Sequence, residues 1–133
     1  MKHFEIWMAD LSSVRSGHME REERPVVIIS ADDASAELPF VSVIPMTTNL
    51  TSRQRLSHVL LSSPVLGQPH RALCEQVTTL DKACMHHRIG YVEDPYDQFA
   101  INRALSVHLH LTLTTYIYSE EESIYDVGFF KAV

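Results

Sequence analysis

Among the 133 residues, the side chains able to do chemistry are eight histidines, two cysteines, and a few arginines and acids set beside strand-like segments. The histidines raise the question of a metal, above all His86-His87 and His108-Leu109-His110. Adjacent histidines seldom converge on one ion, and no acid or cysteine stands at a familiar ligand spacing, so neither a metal nor another cofactor is expected. His86, His87 and Arg88, with Lys82, either add local positive charge or form a solvated turn. Cys74 and Cys84 are both read as reduced thiols, and Cys74, with no cysteine–histidine pair in its sequence neighbourhood, as a small buried hydrophobe. Four glycines scattered singly cannot build a phosphate-cradling loop. Arg24 offers more, because its planar, permanently charged fork can grip two phosphate oxygens or pair with Glu22 or Glu23 beside it. Thr47-Thr48-Asn49 follow an apolar run, where hydroxyl and amide groups also close turns on nearby backbone. Glu75 is an acid on one face of an alternating segment, placed to accept a proton, to pair with Arg24, or to face solvent.

These groups need a frame. From Phe4 to Asp10, Phe4, Ile6 and Met8 fall on one side and Glu5, Trp7 and Ala9 on the other, as in a half-buried strand. A charged loop over residues 18–24 leads to Pro25 and the β-branched run Val26-Val27-Ile28-Ile29, read as a buried strand. Residues 32–38 read as a short connection, and Phe40 to Met46 as another strand ended by the Thr47 cluster. The loop through Arg53 and Arg55 is exposed, Ser57 to Leu61 is a short strand, and Pro64, Gly67 and Pro69 punctuate a loop. Arg71 to Leu80 alternates and is expected as one strand. Lys82 to His87 fits a helical turn and Arg88 to Val92 a short strand. Asp94-Pro95 supplies an N-cap followed by proline at the first helical position. Leu105 to Leu113 alternates at strand period, but the strong start signal favours a helix through about residue 116. Several short strands and one late helix predict a small, mainly antiparallel α+β barrel.

Hydrophobic residues make up 45% of the chain and charged residues 21%, which fits one compact domain and excludes general disorder. The formal net charge of -6 excludes a globally basic nucleic-acid binder, while half of that charge falls after residue 118, leaving room for a local basic patch. An acid within the first five residues does not suit a secretory signal, and no apolar run approaches the roughly 18 residues of a membrane span, so a cytoplasmic protein with no membrane association is expected.

Four segments in order carry a family resemblance: Glu5 to Leu11 (EIWMADL), Arg24 to Ser30 (RPVVIIS), Val43 to Asn49 (VIPMTTN) and Ala72 to Lys82 (ALCEQVTTLDK). Over roughly residues 4–118 the chain resembles the MazF/PemK/Kid endoribonuclease toxins of type II toxin–antitoxin pairs. The resemblance implies an SH3-like β-barrel with a C-terminal helix, a homodimer, a cognate antitoxin, and sequence-selective cleavage of single-stranded RNA by metal-independent attack of the ribose 2′-hydroxyl. It makes residues 1–118 the toxin domain and residues 119–133 an acidic, aromatic extension, whose Ile124-Tyr125 and Phe129-Phe130 are candidates to occupy the antitoxin groove.

By the same resemblance, Arg24 matches the arginine–proline motif and would hold the phosphate, and Thr47 would donate to it or orient the 2′-hydroxyl. Glu75 and His18 become proton-transfer candidates, and Thr48, Asn49, Arg53, Gln76 and Lys82 become RNA contacts. The chain departs from the family pattern at Met19, Glu20 and Glu22, which place added acids near the phosphate path and lower nonspecific RNA affinity. Leu73 stands where some members carry an arginine, leaving His18 as its substitute. Two other readings share the fold: a gyrase-binding toxin like the CcdB family, and an inactive member that works only in an antitoxin complex.

Overall fold

The computed structural model describes residues 1–14 and 22–111. His18, the boundary at 118 and the 119–133 extension lie outside the described residues.

Two apolar runs with both faces buried make the centre. Strands β2 (Glu23–Ile28) and β3 (Phe40–Thr47) send alternate side chains to opposite faces. Val27, Ile44 and Met46 enter one core cluster, while Val26, Ile28, Val41 and Val43 enter the other. The first cluster is closed by helix α2 (Pro95–Leu109) through Ile101 and Ala104. The second takes in Ala9, Leu11, Leu80 and Met85.

Around this pair run β1 (Glu5–Asp10), β4 (His58–Leu61), β5 (His70–Leu73), β6 (Thr78–Asp81) and β7 (Met85–Tyr91). The strand order is β4-β5-β3-β2-β1-β7, with β6 also on β3, and every pairing is antiparallel. The fold is thus the expected mainly antiparallel α+β sheet with a late helix. It curls toward a barrel without a hydrogen-bonded closure, since β4 and β7 end the path. A helical turn at Pro64–Leu66, after β4, lies against β7 instead. Among the described residues no helix is long and apolar enough to cross a membrane.

Several expected elements differ. Arg71 to Leu80 is not one strand: β5 pairs with Met46 and Thr47, β6 pairs with Phe40 to Val43, and the turn Cys74–Gln76 separates them. Both lie on the same edge of β3, but the register slips by three residues between them, and the turn absorbs the excess. Residues 32–37 form a short helix, α1 (Asp32–Glu37), with two acids in its first turn where the helix dipole favours them. The helical turn expected over 82–87 stops at Cys84, because β7 begins at Met85 to pair with β1. β2 begins at Glu23 rather than after Pro25, so Arg24 is a strand residue paired with Ala9.

Helix α2 starts as expected, with the Asp94 side chain accepting from the Tyr96 amide at 2.9 Å and Pro95 following. It ends at Leu109 rather than near 116. His110 adopts a left-handed conformation (φ 56°), its amide donating to Val107 and that of Leu111 to Ser106, a pattern that closes a helix end.

Gly90 in β7 has no side chain for a specific reason. A Cβ there would lie 2.9 Å from Val65 Cγ2 and 3.2 Å from Val65 Cβ, so the seat of the Pro64–Leu66 turn requires glycine. Gly90→Ala is expected to destabilise the fold by about 1–3 kcal/mol, as for other overpacked sites. Urea unfolding checks this, and Val65→Ala in the same chain should return most of the loss.

Candidate active site

β2 and β3 pair with Val26 opposite Pro45 and Ile28 opposite Val43. Carried two residues further, that register sets Arg24 across from Thr47, and cross-strand neighbours of this kind lie about 5 Å apart at Cβ. Both line one cleft of about 430 Å³ at the end of the sheet, together with Glu22, Pro25, Thr48 and His70. The nearly buried His70 gives the cleft an imidazole that the sequence reading passed over, its Nδ1 2.9 Å from the Gln68 carbonyl oxygen.

Arg24 donates through Nε to Glu22 Oε2 at 2.7 Å, with Nη2 2.6 Å from the same oxygen. The pairing with a neighbouring acid, one of the two expected roles of Arg24, is therefore realised. The pair is partly exposed, and such contacts contribute little net energy, so an incoming phosphate can compete for the fork. Thr47 Oγ1 accepts from the Asn49 amide at 3.1 Å, closing the turn, while its own O–H stays a donor toward the cleft. Asn49 Oδ1 in turn accepts from the Thr51 amide at 3.0 Å and the Thr51 hydroxyl at 2.7 Å.

Glu75 lies outside this cleft, on the turn at the register slip. Its Oε1 accepts from Ser57 Oγ at 2.8 Å and its Oε2 is 3.0 Å from His58 Nε2. His58 Nδ1 accepts from the Arg55 amide at 3.2 Å, so Nε2 carries the proton and donates to Glu75. Burial alone would raise the Glu75 pKa, but the Ser57 hydroxyl, its own backbone and His58 together hold it below the ordinary glutamate value. Next to it Cys74 is fully buried, its pKa pushed up to about 12 by burial and by the Glu75 charge, which makes it an inert thiol.

The remaining sequence candidates are dispersed. Thr48 lines the cleft and Asn49 lies on the exposed loop beyond it, which also carries Arg53. Gln76 lines a separate depression with Leu11 and Pro45. Lys82 Nζ donates to the Ser35 carbonyl, tying α1 to the turn after β6. His86 Nδ1 lies 3.0 Å from Glu23 Oε2 and Arg88 Nε lies 3.2 Å from Glu5 Oε2, so the Arg88 charge is matched locally. Among the described residues no group of three or more His, Cys, Asp or Glu converges on a metal position. A second residue that sequence reasoning missed is Arg71, which alternation places on a strand but whose burial it does not reveal.

Over residues 2–109 the chain matches the family described as PemK-like, MazF-like toxin of type II toxin-antitoxin system. It is 31% identical over 113 residues to the endoribonuclease MazF of Staphylococcus saprophyticus, covering 84% of this chain and 92% of that protein. Among solved structures it is similar to the Mycobacterium tuberculosis toxin MazF-mt6, with 25% identity, a TM-score of 0.67, and coverage of 81% and 98%. A mycobacterial endoribonuclease in complex with its cognate antitoxin gives a TM-score of 0.69 at 20% identity, covering 84% and 97%, and so bears on the fold alone. The cleft, the strand register and the family match over most of the chain agree: it belongs to the PemK-like, MazF-like toxins of type II toxin–antitoxin systems.

Proposed function

We propose that this toxin is a sequence-selective endoribonuclease that cuts single-stranded RNA in the cytoplasm. The observation that carries the reading is the placing of Arg24 and Thr47 in one open cleft. The endoribonuclease name of the 31% identical staphylococcal relative supports it. In this chemistry the ribose 2′-hydroxyl attacks the adjacent phosphorus, and negative charge builds on the non-bridging oxygens. Arg24 exchanges Glu22 for those oxygens, and the Thr47 hydroxyl donates to the same group, which stabilises charge that is largest in the transition state. As the P–O2′ bond forms the P–O5′ bond breaks, the 2′-proton passing to water and the 5′-oxygen taking a proton from water, which gives a 2′,3′-cyclic phosphate and a 5′-hydroxyl.

Thr48, Asn49, Arg53 and Gln76 are assigned to the RNA path. Lys82, bonded to the Ser35 carbonyl, is assigned to the fold. The toxin domain is taken as residues 1–118, followed by an extension. The working form is a homodimer whose partner is a cognate antitoxin, and the exposed Leu56 (83%) and Phe99 (66%), flanking the groove between α2 and β4, supply apolar area for a protein partner. The gyrase-binding and inactive readings are set aside, because Arg24 and Thr47 sit together in an open cleft and the relative carries the nuclease name. Glu75, held ionised outside the cleft by Ser57 and His58, is assigned to ordering the turn rather than to accepting the 2′-proton.

Purified toxin incubated with a long single-stranded RNA in EDTA should give discrete cuts bearing cyclic-phosphate ends. Arg24→Ala and Thr47→Ala should each lower the rate by about 100-fold or more while remaining folded. A folded wild type that leaves the RNA intact, or variants as fast as wild type, would sink the reading. For Glu75, the folded pKa lies below the unfolded one, so its ionised form stabilises the fold above the ordinary value of 4.5. That contribution is lost as pH falls through the folded value. Glu75→Gln should therefore cost about 1–2 kcal/mol in urea unfolding at pH 7, with the cost shrinking as pH is lowered below the ordinary glutamate range, and cleavage should stay within about threefold of wild type at pH 7.

A further inference from the structure

Arg71 is buried, with 5% of its surface exposed, yet no carboxylate pairs with it among the described residues. A buried charge is ordinarily paired with an opposite one, because removing it from water is costly. Here every oxygen that accepts from the guanidinium is neutral. Nη1 donates to the Ser52 carbonyl and to Ser52 Oγ, both at 3.1 Å, and Nη2 donates to the Leu50 carbonyl at 3.1 Å. These acceptors belong to one segment, the run of exposed residues 48–56 that follows Thr47. On β5, Arg71 is the partner of Thr47 itself.

The other hydrogen bonds of that loop are local. Thr47 holds Asn49, Asn49 holds Thr51, and His58 holds Arg55, each across three residues or fewer. Among the described residues, Arg71 alone hydrogen-bonds to the middle of the loop from another strand, across about 20 residues of sequence. A lysine would donate from a single nitrogen, without the fixed planar spacing by which two guanidinium nitrogens reach Ser52 and Leu50 separately. The segment from Thr47 to Leu56 contains no acid and two exposed arginines, Arg53 and Arg55, so it is locally cationic on an acidic protein. Such a segment draws a nucleic-acid backbone.

We propose that Arg71 is the positioning residue of an RNA-reading loop: it fixes residues 48–55 over the sheet beside Thr47, and thereby sets which RNA sequence the toxin cuts. This rests on the endoribonuclease reading for its substrate, although the loop's dependence on Arg71 does not. Bases of single-stranded RNA are distinguished by groups held in place around them, and a loop that samples many positions discriminates poorly and positions the scissile bond poorly.

The test uses the full chain with Arg71→Met, which keeps a stem of similar bulk, and Arg71→Lys, which keeps the charge and guards against a variant that fails to fold. The first readout needs no RNA: trypsin cleavage after Arg53 and Arg55, followed by mass spectrometry. Wild type should resist, and both variants should be nicked there at least about tenfold faster at temperatures well below their melting points. The second readout is the map of cut ends on a long mixed-sequence RNA. Wild type should cut a narrow set of sites, whereas the variants should cut a broader set, with kcat/KM at the preferred site down about tenfold or more. Unchanged nicking in folded variants would overturn the proposal, and so would a loosened loop with an unchanged cut map. RNA left intact by wild type, with the loop loosened in the variants, would contradict the endoribonuclease reading and leave the strut role of Arg71 standing.

Discussion

The site exists because β3 has a partner on each edge near its C-terminal end, β2 as far as Pro45 and β5 at Met46 and Thr47. On one edge β2 runs antiparallel, and its register, carried to the end, sets Arg24 across from Thr47. On the other edge β5 sets Arg71 across from Thr47. A pleated sheet holds neighbouring strands about 4.8 Å apart, so two cations flank one hydroxyl within the width of three strands. The slip at Cys74–Gln76 makes this possible, since a strand continuing from β6 without it would bring different residues of β5 beside Thr47. Burial of both faces of β2 and β3 holds the register, because a shift of one residue would exchange the two core clusters.

The electrostatics follow from the same layout. The protein is acidic overall, and Glu22 occupies the Arg24 fork. Net charge therefore gives RNA little attraction at long range, while the cationic segment from Thr47 to Leu56 attracts it at short range. Arg24 and Arg71 divide the work according to their partners. One is bonded to a carboxylate that a phosphate can replace, and the other is locked to backbone carbonyls that it keeps in place.

Much of this frame was legible in the residues. The alternation of β1, the β-branched run of β2 and the Asp94-Pro95 helix start are local signals, and each appears where it was expected. Arg24 and Thr47, which the family resemblance singles out, line one cleft. What could not be read depends on distant partners. The alternation from Arg71 to Leu80 looks the same whether a strand runs straight or slips, and only pairing with β3 decides it. The end of α2 was lost because His110 occupies a left-handed position that glycine usually signals. The partners of Glu75, Ser57 and His58, stand 18 and 17 residues away in sequence, and an arginine in an alternating segment carries no local sign of burial.

The most direct measurement is a double-mutant cycle on the single-turnover cleavage rate with Arg24→Ala, Thr47→Ala and the pair, all verified as folded. If both groups act on one phosphate in one transition state, the double variant should be little slower than the slower single variant, because each loss removes most of what the other supports. Fully additive losses would mean that the two side chains act at separate places, and would contradict the shared cleft as the catalytic centre.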